Sequence, residues 1–488
     1  MKKLMLSIVA LAATTGTLYA QSYAPDALKF SQTNFGSTAR FKGMGGAQIG
    51  VGGDMSSLSA NPAGLGLFTK SEFSLTPEFN NMVGNASYLG KQTESTKDRL
   101  NLNHIGAVFY SPSYRMRGQD TQKGVLSTVF GIGYNRNNDF SAEFGYEGQN
   151  PNNSIVDYFS ELANSNGIDQ KGLASMAYDA YLIDEDAAGF YAITEVNNRQ
   201  AKNELRSGST SELTASGAIN ISNQLYIGAS IGLVNVRYLN DSEFVESGVT
   251  TANDPYSLSF RQSQETTGSG YNARLGIIFR PADNFRVGAT LQSPSWLFIQ
   301  DNTTMVLDAT IATGADAGTS QNQPVNYIFN YRLRTPLKGS IGASYVVAGK
   351  ALISADIDFV DYSSIRFSTD QGLEPATIMD ENNIVRSNYK SATNYRVGAE
   401  YKVNPLFSLR AGYGLNGSAI KGYTDYFASN YYTGGLGYRV DNYYFDLAYQ
   451  RVETNTDLAP YELSNFTEPV ANIKTARNNV FLTFGVRF

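Results

Sequence analysis

One histidine, no cysteine and one Gly-x-Ser-x-Gly motif bound the covalent chemistry open to this 488-residue chain. The motif, Gly228-Ala229-Ser230-Ile231-Gly232, serves serine hydrolases only on a strained strand-to-helix turn beside a histidine base. Here Leu233 to Leu239 continue as strand, so Ser230 reads as a small residue on a strand face. His104 is the sole base of its type and shares a strand face with Gly106. A histidine held by hydrogen bonds is its expected role; an acyl hydrolase would need it within reach of a serine. One histidine without cysteine supplies no zinc spacing. The stretches Gly43-Met44-Gly45-Gly46 and Gly52-Gly53 complete neither a dinucleotide fingerprint nor a phosphate loop. No enzyme, metal or cofactor is expected. The 38 basic and 44 acidic residues leave no basic footprint, so no nucleic acid partner is expected either.

Charged groups recur between apolar positions: Arg274, Arg286, Asp356, Asp358, Arg396, Glu400 and Arg410. An arginine fork suits a ligand carboxylate, but a salt-bridge lattice filling an interior is the favoured reading for most of them. Residues 138–210 carry two helical patterns, the first opened by a cap-like Ser154-x-x-Asp157. Their apolar stripes suggest a long loop packed on a rim. The functional alternative is a capture groove for greasy ligands at Phe159, Leu162, Met176 and Tyr181.

The elements that carry these groups alternate with a two-residue period. In Asn272 to Arg280, Ala273, Leu275, Ile277 and Phe279 share one face, and Asn272, Arg274, Gly276 and Arg280 the other. In Leu225 to Tyr238 the apolar face switches from Ile227, Ala229 and Ile231 to Val234, Val236 and Tyr238. That switch predicts a bulge or kink near Gly232. Fourteen strands are predicted, near 71–83, 102–111, 124–137, 211–221, 225–239, 268–280, 284–298, 337–347, 351–362, 391–402, 406–416, 430–439, 443–453 and 478–488. The connections at 138–210, 240–267, 299–336 and 363–390 are long, and those before 225, 284, 351, 406 and 443 are tight. Short periplasmic turns and long extracellular loops would give that asymmetry.

Lys2, Lys3, the apolar Leu4 to Ala13 and the small exit at Ala20 compose a signal peptide over 1–20, cleaved before Gln21. No later apolar run is long enough for a membrane helix. A soluble sandwich would alternate equally well. Export, the 32 Tyr and 27 Phe against one Trp, and the terminus choose the barrel. The chain ends on Val480, Leu482, Phe484, Val486 and Phe488, and a final strand ending in Phe488 resembles the signal read by barrel-assembly machinery. The fold class is therefore all-β, a transmembrane antiparallel barrel of about 14 strands in an outer membrane of Gram-negative type, in contact with its lipid. Residues 21–70, rich in Gly and Ser, are too irregular for wall and fit the lumen, where backbone groups find polar partners. A periplasmic tail is the alternative.

The sequence resembles the long-chain fatty-acid and aromatic-hydrocarbon transporter family of outer-membrane proteins. The resemblance spans the mature chain and rests on Asn61-Pro62-Ala63-Gly64 with its glycine-rich approach, the strand count, and the hairpin from Phe279 to Pro294. It implies an N-terminal hatch at 21–70 that includes Asn61, Pro62, Ala63 and Gly64, closing a barrel at 71–488. It further implies an apolar binding site among the outer loops, a hatch that moves on binding, and lateral exit at a kinked strand, with Gly131 to Asn138 as the candidate. The function implied is passive uptake of a hydrophobic small molecule such as a long-chain fatty acid, by a monomer. A barrel accessory of a protein secretion and surface-attachment system is the alternative.

Overall fold

The computed structural model describes residues 23–32, 36–114, 120, 122–168, 171–369, 375–422 and 428–488. The signal peptide expected at 1–20 lies outside them. Fourteen antiparallel strands close into a barrel. β1 (Glu72–Tyr88) seals the ring by pairing with β2 (Lys91–Pro112) on one side and the last strand, Ala471–Arg487, on the other. The third wall strand comes in two pieces, β3 (Val125–Asp139) and β4 (Ala142–Asn150). A small hairpin, β5 (Ile183–Asp186) and β6 (Gly189–Ala192), forms a sheet of its own. β7 (Asn198–Ile221), β8 (Leu225–Val249) and β9 (Pro255–Ala282) are the longest elements. The two-residue period sets which side is wet: Leu275 is 64% exposed, whereas its neighbour Arg274 is 2% exposed. Apolar side chains point outward and polar ones inward, as a lipid-facing wall requires.

Strand length corrects the predicted loops. β8 has 25 residues, whereas about 9–11 suffice for a tilted strand to cross the hydrocarbon. The strands therefore rise above the membrane, and the connection expected at 240–267 shrinks to the few residues between Val249 and Pro255. The same extension carries β1 and β2 through 84–101 to a turn at Leu89 and Gly90, both at positive φ. Proline breaks one predicted strand. The strand expected at 284–298 divides into Phe285–Gln292 and Trp296–Ile311 around Pro294, since proline has no N–H to give the ladder.

The kink expected near Gly232 is absent. β8 pairs with β7 and β9 in unbroken register from end to end, and inward and outward positions alternate throughout. What changes is the surroundings. Ile227, Ile231 and Leu233 face lipid, while higher up Val234, Val236 and Tyr238 face an apolar interior.

The two helices expected within 138–210 are α3 (Ile155–Asn166) and α4 (Leu173–Asp179), numbered after α1 (Ala24–Ser31) and α2 (Ala39–Gly43) of the N-terminal segment. Ser154 and Asp157 close a reciprocal capping box on α3. α5 (Ala376–Asn388) occupies part of the connection at 363–390.

Candidate functional site

The N-terminal segment lies inside the barrel. Pro25 at the start of α1 and Asp26 in its first turn favour a helix there. α1 buries Tyr23, Leu28 and Phe30 against Tyr238 of β8, Tyr331, Phe367 and Val385 of α5. Tyr23 stacks on Phe329 at 4.5 Å between ring centroids, and its N–H donates to Glu381 at 3.0 Å. The upper lumen is thus an apolar chamber filled by the chain's own helix. Full burial of a side chain such as Phe30 contributes about 1.5–3 kcal/mol. This helix is also why the upper inner face of β8 is apolar.

Below α1 the segment runs as α2 and two short 3-10 turns, Met55–Leu58 and Pro62–Leu67. Irregular backbone inside a barrel must find partners, and the wall supplies them. Ser344 and Ser354 donate to the carbonyls of Gly50 and Ala47 at 2.8 and 2.7 Å. Arg286 donates to Val51 O at 2.9 Å, and Asp356 accepts from Ile49 N at 2.9 Å. Arg40 of α2 makes a two-point ion pair with Glu400, at 2.9 and 3.1 Å. Asn61 caps the second turn by accepting from Ala63 N at 3.1 Å, and it donates to Ile49 O at 2.7 Å. The wall answers with glycine where the segment touches it: a Cβ on Gly412 would sit 2.5 Å from the Met44 carbonyl carbon.

Other lumen charges pair with one another. Arg274 grips Glu212 at 2.5 and 2.8 Å. Arg410 bridges Glu400 and Asp446, and Arg396 and Lys338 share Asp358. The lattice favoured from the sequence is therefore present, and it extends to the N-terminal segment through Arg40.

The wall is interrupted on one side. The β2–β3 ladder runs from Pro112↔Ser127 only to His104↔Asn135. β3 then shifts register against β7 between Arg136 and Asn138, and β4 continues as a partner of β7. Facing this break, β2 is joined to the third strand by side chains. Arg99 donates to Ser141 at 3.0 Å, Asn101 to Asp139 at 3.1 Å, and Ser95 accepts from Gly145 N at 3.0 Å. The break sits at the C-terminal edge of Gly131 to Asn138. Behind it lies a cavity of about 240 Å3 whose lining includes Lys42, Glu78, Asn103, Asp139, Arg396 and Arg477.

His104 does meet a serine. Its Nε2 lies 3.2 Å from Ser74 Oγ and its Nδ1 2.8 Å from Asn135 Oδ1. All three residues are fully buried on adjacent strands. A reacting carbonyl needs room about 3 Å from the nucleophile, and Ser74 is sealed. The row is a structural hydrogen-bond chain. Ser230 lies buried on the unbroken β8, with no strand-to-helix turn.

Of the four groove residues, Phe159 and Met176 are buried and Leu162 is partly so, packed with Phe244, Leu307 and Tyr461. Tyr181 alone is well exposed, at 60%. Phe488 is exposed at the barrel's end, its N–H donating to Ser71 O at 2.9 Å. Sequence reasoning missed α1 as the filling of the upper chamber, although Pro25 and Asp26 mark its start. It also missed that Lys42 lines the internal cavity, which no local pattern signals.

A closed barrel, plugged from within and interrupted beside an internal cavity, is a membrane channel of the plugged type. A family model described as outer membrane protein transport protein (OMPP1/FadL/TodX) matches residues 199–461, and the chain belongs to that family. It is a family of transport channels located in the outer membrane, not of enzymes. Among solved structures, the toluene transporter TodX of P. putida is similar at 14% identity and a TM-score of 0.55, over 92% of this chain and 98% of that one. A FadL homologue of Pseudomonas aeruginosa is similar at 14% identity and a TM-score of 0.56, over 94% and 99%. These likenesses establish the shared fold. No curated protein matches the sequence.

Proposed function

We propose that the protein is a passive outer-membrane channel for hydrophobic small molecules, of which long-chain fatty acids are the leading class. The observation that carries this reading is the apolar chamber in the upper lumen, lined by Val236, Tyr238, Tyr331 and Phe367 and filled by α1. An apolar lining of that chemistry would favour a greasy occupant once α1 is displaced. The ligand enters from the extracellular rim, where Tyr181 is the exposed member of the rim cluster, and displaces α1. Residues 21–70 act as a hatch, with Asn61, Pro62, Ala63 and Gly64 as its seat. The ligand leaves sideways through the break between β2 and the third strand. Transport runs down a gradient, in a monomer, in a Gram-negative outer membrane. The similarity to TodX, a toluene transporter by its description, supports the general class of cargo. Nothing observed favours the secretion-accessory alternative.

The test is mass spectrometry of lipids that co-purify with the detergent-extracted barrel, followed by binding of labelled oleate. A stoichiometric fatty acid or aromatic is the expected result. Absence of any hydrophobic ligand, with exported proteins co-purifying instead, would overturn the proposal.

A further inference from the structure

The cavity behind the wall break is more polar than a purely apolar cargo needs. Four cationic side chains line it, Lys42, Arg136, Arg396 and Arg477, against the carboxylates of Glu78 and Asp139. Most of these groups are engaged. Arg136 pairs with Asp139 at 3.1 Å, Arg396 pairs with Asp358, and Arg477 donates to the carbonyls of Asp139 and Ser141. Glu78 accepts from Asn103 at 2.7 Å.

Lys42 differs. It is 9% exposed, and among the described residues its ammonium has neither an ion pair nor a hydrogen-bond acceptor. Its ammonium lies over the face of Phe481, 5.3 Å from the ring centroid, and the Glu78 carboxylate of the same cavity lining acts on it electrostatically without direct contact. A buried ammonium whose counter-charge is out of contact, with that carboxylate already bonded by Asn103, keeps its N–H donors open to an anion that can meet them directly. The cavity also adjoins the apolar chamber: Tyr362 belongs to both linings, and Gln32, the residue after α1, faces the cavity. A polar end and an apolar end are thus joined at one wall.

We propose that Lys42 receives the carboxylate of an amphiphilic ligand whose tail lies in the α1 chamber, and so selects carboxylate-bearing cargo over neutral hydrocarbons. This rests on the transport reading above and deepens it. Lys42 belongs to α2, whose Arg40 is tied to Glu400. The head group is therefore held by the hatch itself, not by the wall.

The test compares oleate with oleyl alcohol, which has the same tail and a neutral head, on the purified full-length barrel. The wild-type protein is expected to bind oleate at least about tenfold more tightly, a preference falling to within about twofold in Lys42→Gln and kept in Lys42→Arg. Heat-modifiable mobility checks that each variant has folded, and Lys42→Met replaces Lys42→Gln if the latter has not. An unchanged preference in the neutral variants overturns the assignment. If the wild-type protein binds both ligands equally, the assignment falls while transport stands. If it binds neither, the transport reading falls with it. Should Lys42 merely balance Glu78 through solvent, Lys42→Gln and Glu78→Gln would lower stability alike without moving the preference, which also refutes the proposal.

Discussion

Asn61 and Gly276 meet so closely across the boundary between the N-terminal segment and the wall that a Cβ on Gly276 would overlap the Asn61 side-chain oxygen. The same Cβ would lie 3.0 Å from Pro62 Cδ and 3.2 Å from Ala63 N. Gly228, paired with Gly276 on the neighbouring strand, meets Pro62 and Ala63 in the same way. The seat of this motif is a gap in the wall's side chains. Gly276→Val should therefore lift the turn at Pro62–Leu67 while leaving the strand, which tolerates valine well. Raised conductance in planar bilayers, with normal barrel assembly, is the expected outcome.

Deleting Gln21 to Leu65 removes the whole plug and should convert a tight barrel into a leaky one. Conductance equal to the intact protein would rule out a hatch. A milder change, Asn61→Ala, strips a cap and leaves the Ile49 carbonyl without its donor. It should cost about 1–3 kcal/mol locally, read as faster hydrogen exchange at residues 48–66.

Closing the wall break should stop transport if cargo leaves there. The chain has no cysteine, so Arg99→Cys with Ser141→Cys gives a clean pair across the break. A short thiol-cleavable cross-linker should abolish oleate uptake by cells, and reduction should restore it. Uptake that persists in the cross-linked protein would move the exit elsewhere.

Phe488 is exposed and bonded to the wall only through its backbone. Its removal should leave the stability of the finished barrel nearly unchanged but slow assembly. The measurement is the rate at which heat-modifiable barrel appears in the membrane.

Asp157, at the start of α3, has its carboxyl raised above the usual range by burial, with the Ser154 N–H opposing and Glu161 adding to the rise. An acid whose folded value is raised favours the folded state below its unfolded value, about pH 4. That contribution is lost as pH rises through the folded value. Asp157→Asn should flatten the dependence while keeping an acceptor for Ser154 N. Hydrogen exchange of α3 at about pH 4.5 and about pH 7.5, corrected for intrinsic rates, checks the sign.

Much of the barrel was legible because lipid imposes a simple rule on one face. Leu275, Ile277 and Phe279 had to alternate with Arg274 and Gly276 wherever hydrocarbon touched the wall. Above the membrane that rule lapses. The switch at Val234 reads as a kink only if apolar means outward; here it marks the height at which the interior becomes the apolar side. The loops were misjudged for the same reason. Residues 84–101 pair as strands with water outside, where no hydrophobic period is required. The glycine-rich segment and Asn61-Pro62 marked an irregular element, whereas the cap made by Asn61 was not read from the sequence. That Lys42 meets no carboxylate directly among the described residues depends on which distant strands face it, and no local spacing encodes that.

β1 closes the ring against the last strand to be made, yet the segment preceding β1 ends up enclosed. Its contacts reach wall strands as far along the chain as Thr433 and Thr483. The stopper therefore precedes in the chain the strands that hold it. Laying it against a sheet that is still open, like a ship's interior fitted before the last plank of the hull, is the route that needs no threading through the finished ring. On that route completion of the seam and enclosure of the stopper coincide, and a defect at either end of the chain should register as the same failure of assembly.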